Sequence, residues 1–419
     1  MIIQRKLDNG IRVVMEKNNA VQSVSIGIWV KAGSVDENEN NSGISHVIEH
    51  MLFKGTDNRT AKQIAEDVDR IGGHINAFTG KEATCYYIKT LESNIDKACD
   101  ILIDMFIGSR FDPAELLKEK DVIYEEIKMI EDSPEDDVND LLFESVFRGS
   151  ALERPIIGTY KSLGTITRES IIEYIREEYT TDSIVISVAG NFDEDRICDI
   201  FNKGLIGLKT SKAAKTMNIP LYVPEYKVKV KDVEQSHICM GLKGVPQEDD
   251  LFFPMALLNS ITGGSMSSRL FQNIREQKGL AYSVYSVTHS YINDGIFSIY
   301  AGVSHEKINN VIEAVAEELK LLKDEGISED ELLIAKEQLK SSFVFSQENV
   351  NSRMYTIGKN TLLLSRLLTI REVIEKIDKV AMDDIRKASE RITDMKSYSA
   401  VLICNKHYDL KYSMENSII

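Results

Sequence analysis

The sequence predicts an α+β fold with two homologous domains, each a mainly antiparallel β-sheet flanked by helices. Three observations support this prediction. The chain has 419 residues, which is about two to three times the length of a common domain. Segments with the two-residue period of strands alternate with segments of helical period. The same order of segments occurs twice along the chain, which indicates that one domain was duplicated.

The first half begins with a predicted β-hairpin around the turn sequence at residues 8–10, Asp-Asn-Gly. Residues 24–31 alternate between aliphatic and smaller or polar side chains, which predicts a half-buried strand. Further elements are predicted as helices at 43–56, 60–73, 94–109 and 112–130, and as strands within 74–93 and at 183–192. Asp112 is the predicted N-cap of the long fourth helix, since Pro113 follows it at the first helical position.

The second half repeats this order after a small, polar, proline-bearing segment that we interpret as a linker. Its elements are predicted as a strand at 237–245, a helix with a glycine break at 257–277, a strand pair within 280–304, and helices at 307–326 and 327–345. Ser328 caps the last helix, with Glu331 three residues later, as Asp112 caps the long helix of the first half. The predicted boundaries are a first domain at 1–208, a linker at 209–225 and a second domain at 226–419.

Composition excludes several classes of function. The net charge of −16 argues against a nucleic-acid partner, which would require a basic surface. No apolar run reaches the roughly 18 residues that a membrane span needs. Five scattered cysteines without a CxxC pair are typical of a reducing compartment. We therefore expect a cytoplasmic protein without a membrane partner.

The predicted helix at 43–56 is apolar on one side. The residues of this buried stripe follow the i, i+3, i+4 pattern: Ile44, Val47, Ile48, Met51 and Leu52. Ser42 is the expected N-cap of this helix, and Gly55 is the expected C-terminal stop. The other side of the helix carries polar side chains that need partners if they are partly buried.

Those polar residues are His46, Glu49 and His50. Residues 46 and 50 lie one helical turn apart on one face, so both imidazoles can bind the same divalent metal. Glu49 lies beside them, where a carboxylate can accept a proton from a water molecule. A metal-dependent hydrolase site is therefore indicated, although two unrelated histidines on a helix remain an alternative.

A catalytic zinc ion takes three protein ligands and leaves a fourth position open. The long helix offers four candidates for the third ligand: Glu115, Glu119, Glu125 and Glu126. Glu119 and Glu126 are seven residues apart and share a face. The equivalent residues of the second half are Ala335 and Ser342, and that half has no HxxEH motif. This difference favours a metal site over solvated helix charges, which remain an open alternative for Glu119.

The sequence here resembles a known family, the inverzincins, which are the inverted-motif zinc peptidases of the pitrilysin, insulysin and mitochondrial processing peptidase group. The matching stretches are HVIEH at 46–50, GGHINAFTGKEATCYY at 72–87, EKDVIYEE at 119–126 and SRLFQNIREQKGLAYSVYS at 268–286. They occur in the family's order along nearly the whole chain. The length resembles the short bacterial, processing-peptidase-like branch rather than the double-length pitrilysins.

The resemblance implies that His46, His50 and Glu126 bind one zinc ion per chain. Glu126 stands at the family spacing after the motif, and Glu125, one residue out of register, is the second choice. The resemblance also implies that Glu49 is the general base that activates the zinc-bound water.

Three further catalytic residues are implied by the resemblance. Glu119 matches a second glutamate that assists catalysis. Arg275 and Tyr282 match an Arg–Tyr pair that holds the substrate carbonyl and stabilises the tetrahedral intermediate. Considered without the resemblance, Arg275 is more typical of a surface helix charge and Tyr282 of an aromatic residue on a strand face.

Substrate contacts and partners are implied in the same way. Asn76, Ala77 and Phe78 match an edge strand beside the zinc site, to which a peptide or unfolded segment adds as an extended strand. The stretch SALERPIIG at 150–158 lacks the histidine that the family often has there, so substrate contacts from that loop are not implied. In the double-length relatives, two halves face each other across a closed chamber. A chain of half that length is therefore expected to form a homodimer with composite active sites.

These observations predict a zinc metalloendopeptidase that cleaves extended peptides in a chamber. An alternative is a non-catalytic substrate-binding or scaffold subunit of a related heteromeric peptidase, although such subunits usually have a degraded HxxEH motif. A purely structural zinc is disfavoured, because such sites are rich in cysteine and no cysteine stands near this helix in sequence.

Overall fold

The computed structural model describes residues 2–210, 222–364 and 366–417. Two β-sheets with flanking helices confirm the predicted α+β class. The strands are β1 (Ile2–Lys6), β2 (Arg12–Lys17), β3 (Ser23–Val30), β4 (His74–Thr79), β5 (Thr84–Leu91), β6 (Ile184–Gly190), β7 (Tyr226–Val230), β8 (Ser236–Lys243), β9 (Ala281–Ser290), β10 (Gly295–Val303) and β11 (Ser399–Cys404). The helices are α1 (Ile44–Leu52), α2 (Ala61–Arg70), α3 (Ile95–Gly108), α4 (Pro113–Asp132), α5 (Pro134–Val146), α6 (Tyr160–Thr165), α7 (Arg168–Glu178), α8 (Glu194–Gly204), α9 (Phe252–Thr262), α10 (Ile308–Glu325), α11 (Glu329–Gln347), α12 (Val350–Leu363), α13 (Ile370–Lys379), α14 (Met382–Ile392) and α15 (Leu410–Asn416).

The two sheets have equivalent strand orders. The first is β1-β2-β6-β3-β5-β4 and the second is β7-β11-β8-β10-β9. Without β1, the two orders correspond strand by strand in chain order. Each sheet has one parallel pair, β2 with β6 and β7 with β11, while its other pairs are antiparallel. This shared topology supports the predicted duplication.

The chain divides into two compact units. Unit 1 contains Met1–Ile127, Arg154–Asn218 and Phe345–Leu367, and unit 2 contains Lys128–Glu153, Ile219–Val344 and Leu368–Ile419. This division differs from the predicted domains. Residues 128–153, from the first half of the chain, belong to unit 2, and residues 345–367, from the second half, belong to unit 1. Most of the predicted linker, 209–225, lies outside the described residues.

Helix α12 covers one face of the sheet in unit 1. Gly358 allows α12 to lie close to the sheet, since a Cβ atom at this position would overlap Nε1 of Trp29. The Trp29 indole donates a hydrogen bond to Ser187 Oγ at 2.9 Å, and Arg353 of α12 pairs with Glu16. Strand β3 is therefore buried on both faces, and the predicted half-buried strand is wrong. The physical reason is a covering helix that is distant in sequence.

Helix α5 has the equivalent position in unit 2, where it packs on β8 and β11. A Cβ atom at Gly241 would lie 2.8 Å from Leu142 of α5. Lys229 pairs with Asp137 of the same helix at 2.6 Å. Helices α5 and α12 directly follow the long helices α4 and α11 in the chain. The two helices therefore have equivalent positions in the two repeats. Each one packs on the sheet formed by the other half of the chain: α5 on the second sheet and α12 on the first.

Both predicted caps of the long helices are confirmed. The Asp112 carboxylate accepts hydrogen bonds from the N–H groups of Ala114 and Glu115. Ser328 and Glu331 form a reciprocal capping box. In place of the predicted helix with a glycine break at 257–277, the structure has helix α9 and a separate π-helical segment, Phe271–Gln277. Within the described part of the chain, no helix has the length and apolar composition needed to cross a membrane.

Candidate metal centre

Helix α1 packs its apolar side against the core of unit 1. Its buried residues are Ile44, Ser45, Val47, Ile48, Met51 and Leu52, which confirms the predicted stripe. His46, Glu49 and His50 lie on the other side and are only partly buried. The helix ends at Leu52, before the predicted stop at Gly55. The sequence period thus predicted which side chains face outward from the core.

The start of α1 differs from the prediction. Ser42 is not its N-cap. Gly43 has that position, with a left-handed φ of 90° and no side chain to accept a hydrogen bond. Instead, the buried carboxylate of Glu37 accepts hydrogen bonds from the N–H groups of Gly43, at 2.7 Å, and Ser45, at 3.0 Å. A residue outside the helix therefore supplies the cap.

Helix α4 brings a third donor to the two imidazoles. Oε2 of Glu126 lies 3.8 Å from Nε2 of His46 and 3.6 Å from Nε2 of His50. One donor atom from each of these residues lies within 4.8 Å of the other two. Glu125 does not belong to this group, although the sequence left it open as the third ligand. Of the described residues, these three form the only group of this kind.

The donor set fits a zinc ion. Two imidazole nitrogens and one carboxylate oxygen are typical ligands of catalytic zinc, and tetrahedral ligands lie about 3.3 Å apart. Burial, and secondarily the charge of His50, lower the pKa of His46 to about 4. His46 is therefore neutral at physiological pH, with a lone pair available for a metal. Its Nδ1 is buried and has no partner among the described residues.

Glu119 lies behind His50. Its side chain is 7% exposed, and its Oε2 lies 3.2 Å from Nδ1 of His50. The other oxygen, Oε1, pairs with Nζ of Lys54 at 2.6 Å. The carboxylate therefore orients the ring of His50, as outer partners of metal-bound histidines commonly do. Sequence analysis missed Lys54, although its position four residues after His50 was a usable signal.

Glu49 points toward the end of strand β4. The hydroxyl of Thr79 donates a hydrogen bond to Oε2 of Glu49 at 2.5 Å. Burial raises the pKa of Glu49, while the bond from Thr79 and the charge of His50 act in the opposite direction. A carboxylate in this environment is a better proton acceptor than a solvated one. Sequence analysis also missed Thr79, which directly follows the predicted substrate-binding residues.

Asn76, Ala77 and Phe78 lie on β4, which is the end strand of its sheet. Ala77 is buried, whereas Asn76 is exposed and Phe78 is 38% exposed. The ring of Phe78 packs edge-to-face against Trp29 and Tyr355, with centroid separations of 5.5 Å. The strand that carries these residues therefore leads directly to the hydroxyl group that contacts Glu49.

Arg275 and Tyr282 belong to unit 2, so the metal-centre residues and this pair lie in different compact units. The guanidinium carbon of Arg275 lies 5.6 Å from the ring centroid of Tyr282 and 4.8 Å from that of Phe271. Gly279, with a φ of 57°, forms the turn between them. Tyr282 is 76% exposed. The predicted pair is thus adjacent and accessible.

Comparisons with known proteins identify the family of this chain. Residues 12–160 match the family described as Insulinase (Peptidase family M16), and residues 165–339 match the Peptidase M16 inactive domain. A Bacillus subtilis (strain 168) protein named "Uncharacterized zinc protease YmxG" is 43% identical over 392 residues, 94% of this chain and 96% of its own length. A Rickettsia felis "Uncharacterized zinc protease" is 38% identical over 398 residues, 95% of this chain and 96% of its own length.

Solved structures share the fold. A protease from Helicobacter pylori has a TM-score of 0.88 at 21% identity and covers 96% of this chain and 99% of its own. The peptidase M16 inactive domain from Pseudomonas fluorescens has a TM-score of 0.90 at 16% identity and covers 97% and 98%. These structures support the fold alone. The family matches and the two relatives, which are 43% and 38% identical over 94% and 95% of this chain, establish that the chain is a member of the insulinase family of peptidases, family M16.

Proposed function

We propose that the protein is a zinc-dependent endopeptidase that cleaves peptides or unfolded segments held in extended form. The observation that carries the proposal is the convergence of His46, His50 and Glu126 with Glu49 beside them on α1. Two relatives that match this chain over 96% of their own length are named zinc proteases, which also supports the proposal. One zinc ion per chain is proposed.

The zinc ion would be held by Nε2 of His46, Nε2 of His50 and the carboxylate of Glu126. When bound, it supplies a Lewis acid that polarises a carbonyl group and makes water more acidic. Glu119 and Lys54 keep the ring of His50 in place for this role. The protein thus contributes ligands and their orientation.

Glu49 is the proposed general base. Its carboxylate accepts a proton from the attacking water molecule and then donates it to the leaving amine, since one group can carry out both transfers in sequence. Burial raises the pKa of Glu49, which makes its carboxylate a stronger proton acceptor. The hydrogen bond from the Thr79 hydroxyl fixes the position of the Glu49 carboxylate.

The substrate would pair with the free edge of β4 through its backbone, as an added strand. Asn76, Ala77 and Phe78 would lie along the bound segment, which would end near Thr79 and Glu49. Such pairing recognises backbone N–H and C=O groups and tolerates varied side chains. It also requires an extended substrate, which is why unfolded segments are the proposed substrate class.

Arg275 and Tyr282 are proposed to hold the substrate carbonyl and stabilise its developing negative charge. We further propose that they act on the zinc site of the partner in a homodimer.

The test of this composite site mixes two inactive variants, Arg275→Ala and Glu49→Gln. Mixed dimers should regain a fraction of wild-type activity, because one of their two sites would contain both intact groups. Absence of recovery, with subunit exchange shown by fluorescence energy transfer between differently labelled chains, would contradict the composite site.

The catalytic proposal predicts that Glu49→Gln lowers kcat by at least about 100-fold, since general base catalysis contributes at least that factor. The measurement follows a quenched fluorescent peptide, with zinc content determined for each variant. The variant should keep one zinc ion per chain, because Glu49 is not a ligand.

A zinc chelator should abolish cleavage by the wild-type protein, and re-added zinc should restore it. Cleavage that survives both the substitution and the chelator would refute the proposal, whereas a zinc-loaded wild-type chain without activity on any peptide would favour the scaffold alternative.

A further inference from the structure

We propose that Glu37 is a positioning residue for the metal centre, because its buried carboxylate holds the first turn of α1 and thereby directs the imidazole of His46. The inference rests on the zinc-binding role proposed above for His46. It adds a residue outside the HxxEH motif, and outside the helix itself, to the group that determines the geometry of the site.

The beginning of α1 connects Glu37 to the metal-binding residues. The first N–H groups of a helix have no acceptor within it and need one from elsewhere. Gly43, at the N-cap, has no side chain to supply that acceptor. Glu37, only 5% exposed, uses one oxygen for the N–H of Gly43 and the other for the N–H of Ser45. Both carboxylate oxygens of Glu37 therefore accept hydrogen bonds from the backbone of the segment that leads directly to His46.

The two histidines differ in the partners of their second ring nitrogen. Metal-binding histidines usually donate their second ring N–H to an oxygen that fixes the ring. His50 has such a partner in Glu119. Nδ1 of His46 is buried and has no partner in the described part of the chain. The direction of the His46 ring therefore depends on the position of the backbone that carries it.

Glu37 is itself surrounded by polar groups that hold it in place. Arg154 donates a hydrogen bond to the carbonyl of Val35 at 3.3 Å, and its charge opposes the effect of burial on Glu37. The hydroxyl of Ser45 also contacts that of Tyr174 at 2.9 Å. Burial raises the pKa of Glu37 to about 7, while the two N–H donors act in the opposite direction. The carboxylate thus belongs to a buried polar cluster behind the metal-binding face.

The test replaces Glu37 with glutamine in the full chain. The amide places an NH₂ group opposite one of the two backbone N–H groups, so that one hydrogen bond is lost. Zinc affinity is measured by competition with a chromophoric chelator at about pH 8, where a carboxyl group with a pKa near 7 is mostly ionised. We expect a 10- to 100-fold loss of affinity, the usual effect of changing an outer partner. The visible spectrum of the cobalt-substituted protein should also change.

Glu16→Gln is the matched control. Glu16 is another carboxylate of unit 1, and it pairs with Arg353 of α12 rather than with α1. This variant should lower the thermal midpoint of the metal-free protein but keep the wild-type zinc affinity and cobalt spectrum. The control therefore separates a general loss of stability from a change in the direction of His46.

The outcomes distinguish the two proposals. A wild-type chain that binds no zinc overturns the proposed function. A wild-type chain that binds zinc, together with a Glu37→Gln variant of affinity within twofold of it and an unchanged cobalt spectrum, overturns only the role of Glu37. If the glutamine variant does not fold, Glu37→Asp serves the same measurements, because its side chain is one methylene group shorter and cannot keep both hydrogen bonds.

Discussion

At the scale of single residues, one position along α4 decides the composition of the metal centre. Glu125 and Glu126 are adjacent, and a helix turns by about 100° per residue, so their carboxylates point in different directions. Only Glu126 joins the imidazoles of His46 and His50 among the described residues. The resemblance implies Glu126 as the ligand and Glu125 as the second choice, and Oε2 of Glu126 lies 3.8 Å from His46 Nε2 and 3.6 Å from His50 Nε2.

This difference predicts opposite results for two matched variants. Glu126→Gln should lower zinc affinity by more than about 100-fold, because losing an outer partner already costs 10- to 100-fold. Glu125→Gln, with the same change of charge on the same helix, should keep affinity close to the wild-type value. Chelator competition measures both. Equal losses in the two variants would contradict the assignment of Glu126.

At the scale of elements, the exchange of α5 and α12 explains why the central strands are buried on both faces. Helix α12 lies directly on β2, β3 and β6 of unit 1. The contact is close because Gly358 has no side chain to separate the helix from Trp29 and Ser187. Burial of a strand on both faces is common in parallel sheets, but here a helix from the far end of the chain produces it in a mixed sheet.

A substitution at this contact tests its contribution to stability. Gly358→Ala should lower the free energy of unfolding of unit 1 by about 1–3 kcal/mol, the usual cost of overpacking a core. Gly164→Ala is the control, because a Cβ atom there would have no neighbour within 4 Å. That change should leave stability unaltered or slightly higher. The measurement is the thermal midpoint of each variant, and equal midpoints would contradict the packing argument.

At the scale of the whole molecule, the exchanged helices make each half of the chain necessary for the other. A fragment that ends before α12 leaves one face of the first sheet uncovered. The exposed side chains would include Trp29, which is otherwise fully buried. Burial of apolar surface is the main favourable term in folding, so neither half of the chain contains a complete core.

We therefore predict that residues 1–215, expressed alone, do not fold cooperatively and bind the dye ANS. Mixing this fragment with residues 216–419 should restore a cooperative thermal transition and zinc binding, because α12 is supplied in trans. Circular dichroism and calorimetry measure the transition. A first fragment that unfolds at the wild-type temperature without its complement would show that the exchange has no role in folding.

The sequence by itself determined the fold class, the duplication, every described strand except β7 and β11, and the helix that carries His46, Glu49 and His50. These features depend on local periodicity, capping residues and spacing, which are visible within a short window of the chain. Only the tertiary structure placed the carboxylate of Glu126 beside both imidazoles, placed Glu37 at the start of α1 and brought Lys54 and Thr79 to the site. It also showed the helix exchange, because periodicity reveals which face of an element is apolar but not which distant segment covers it.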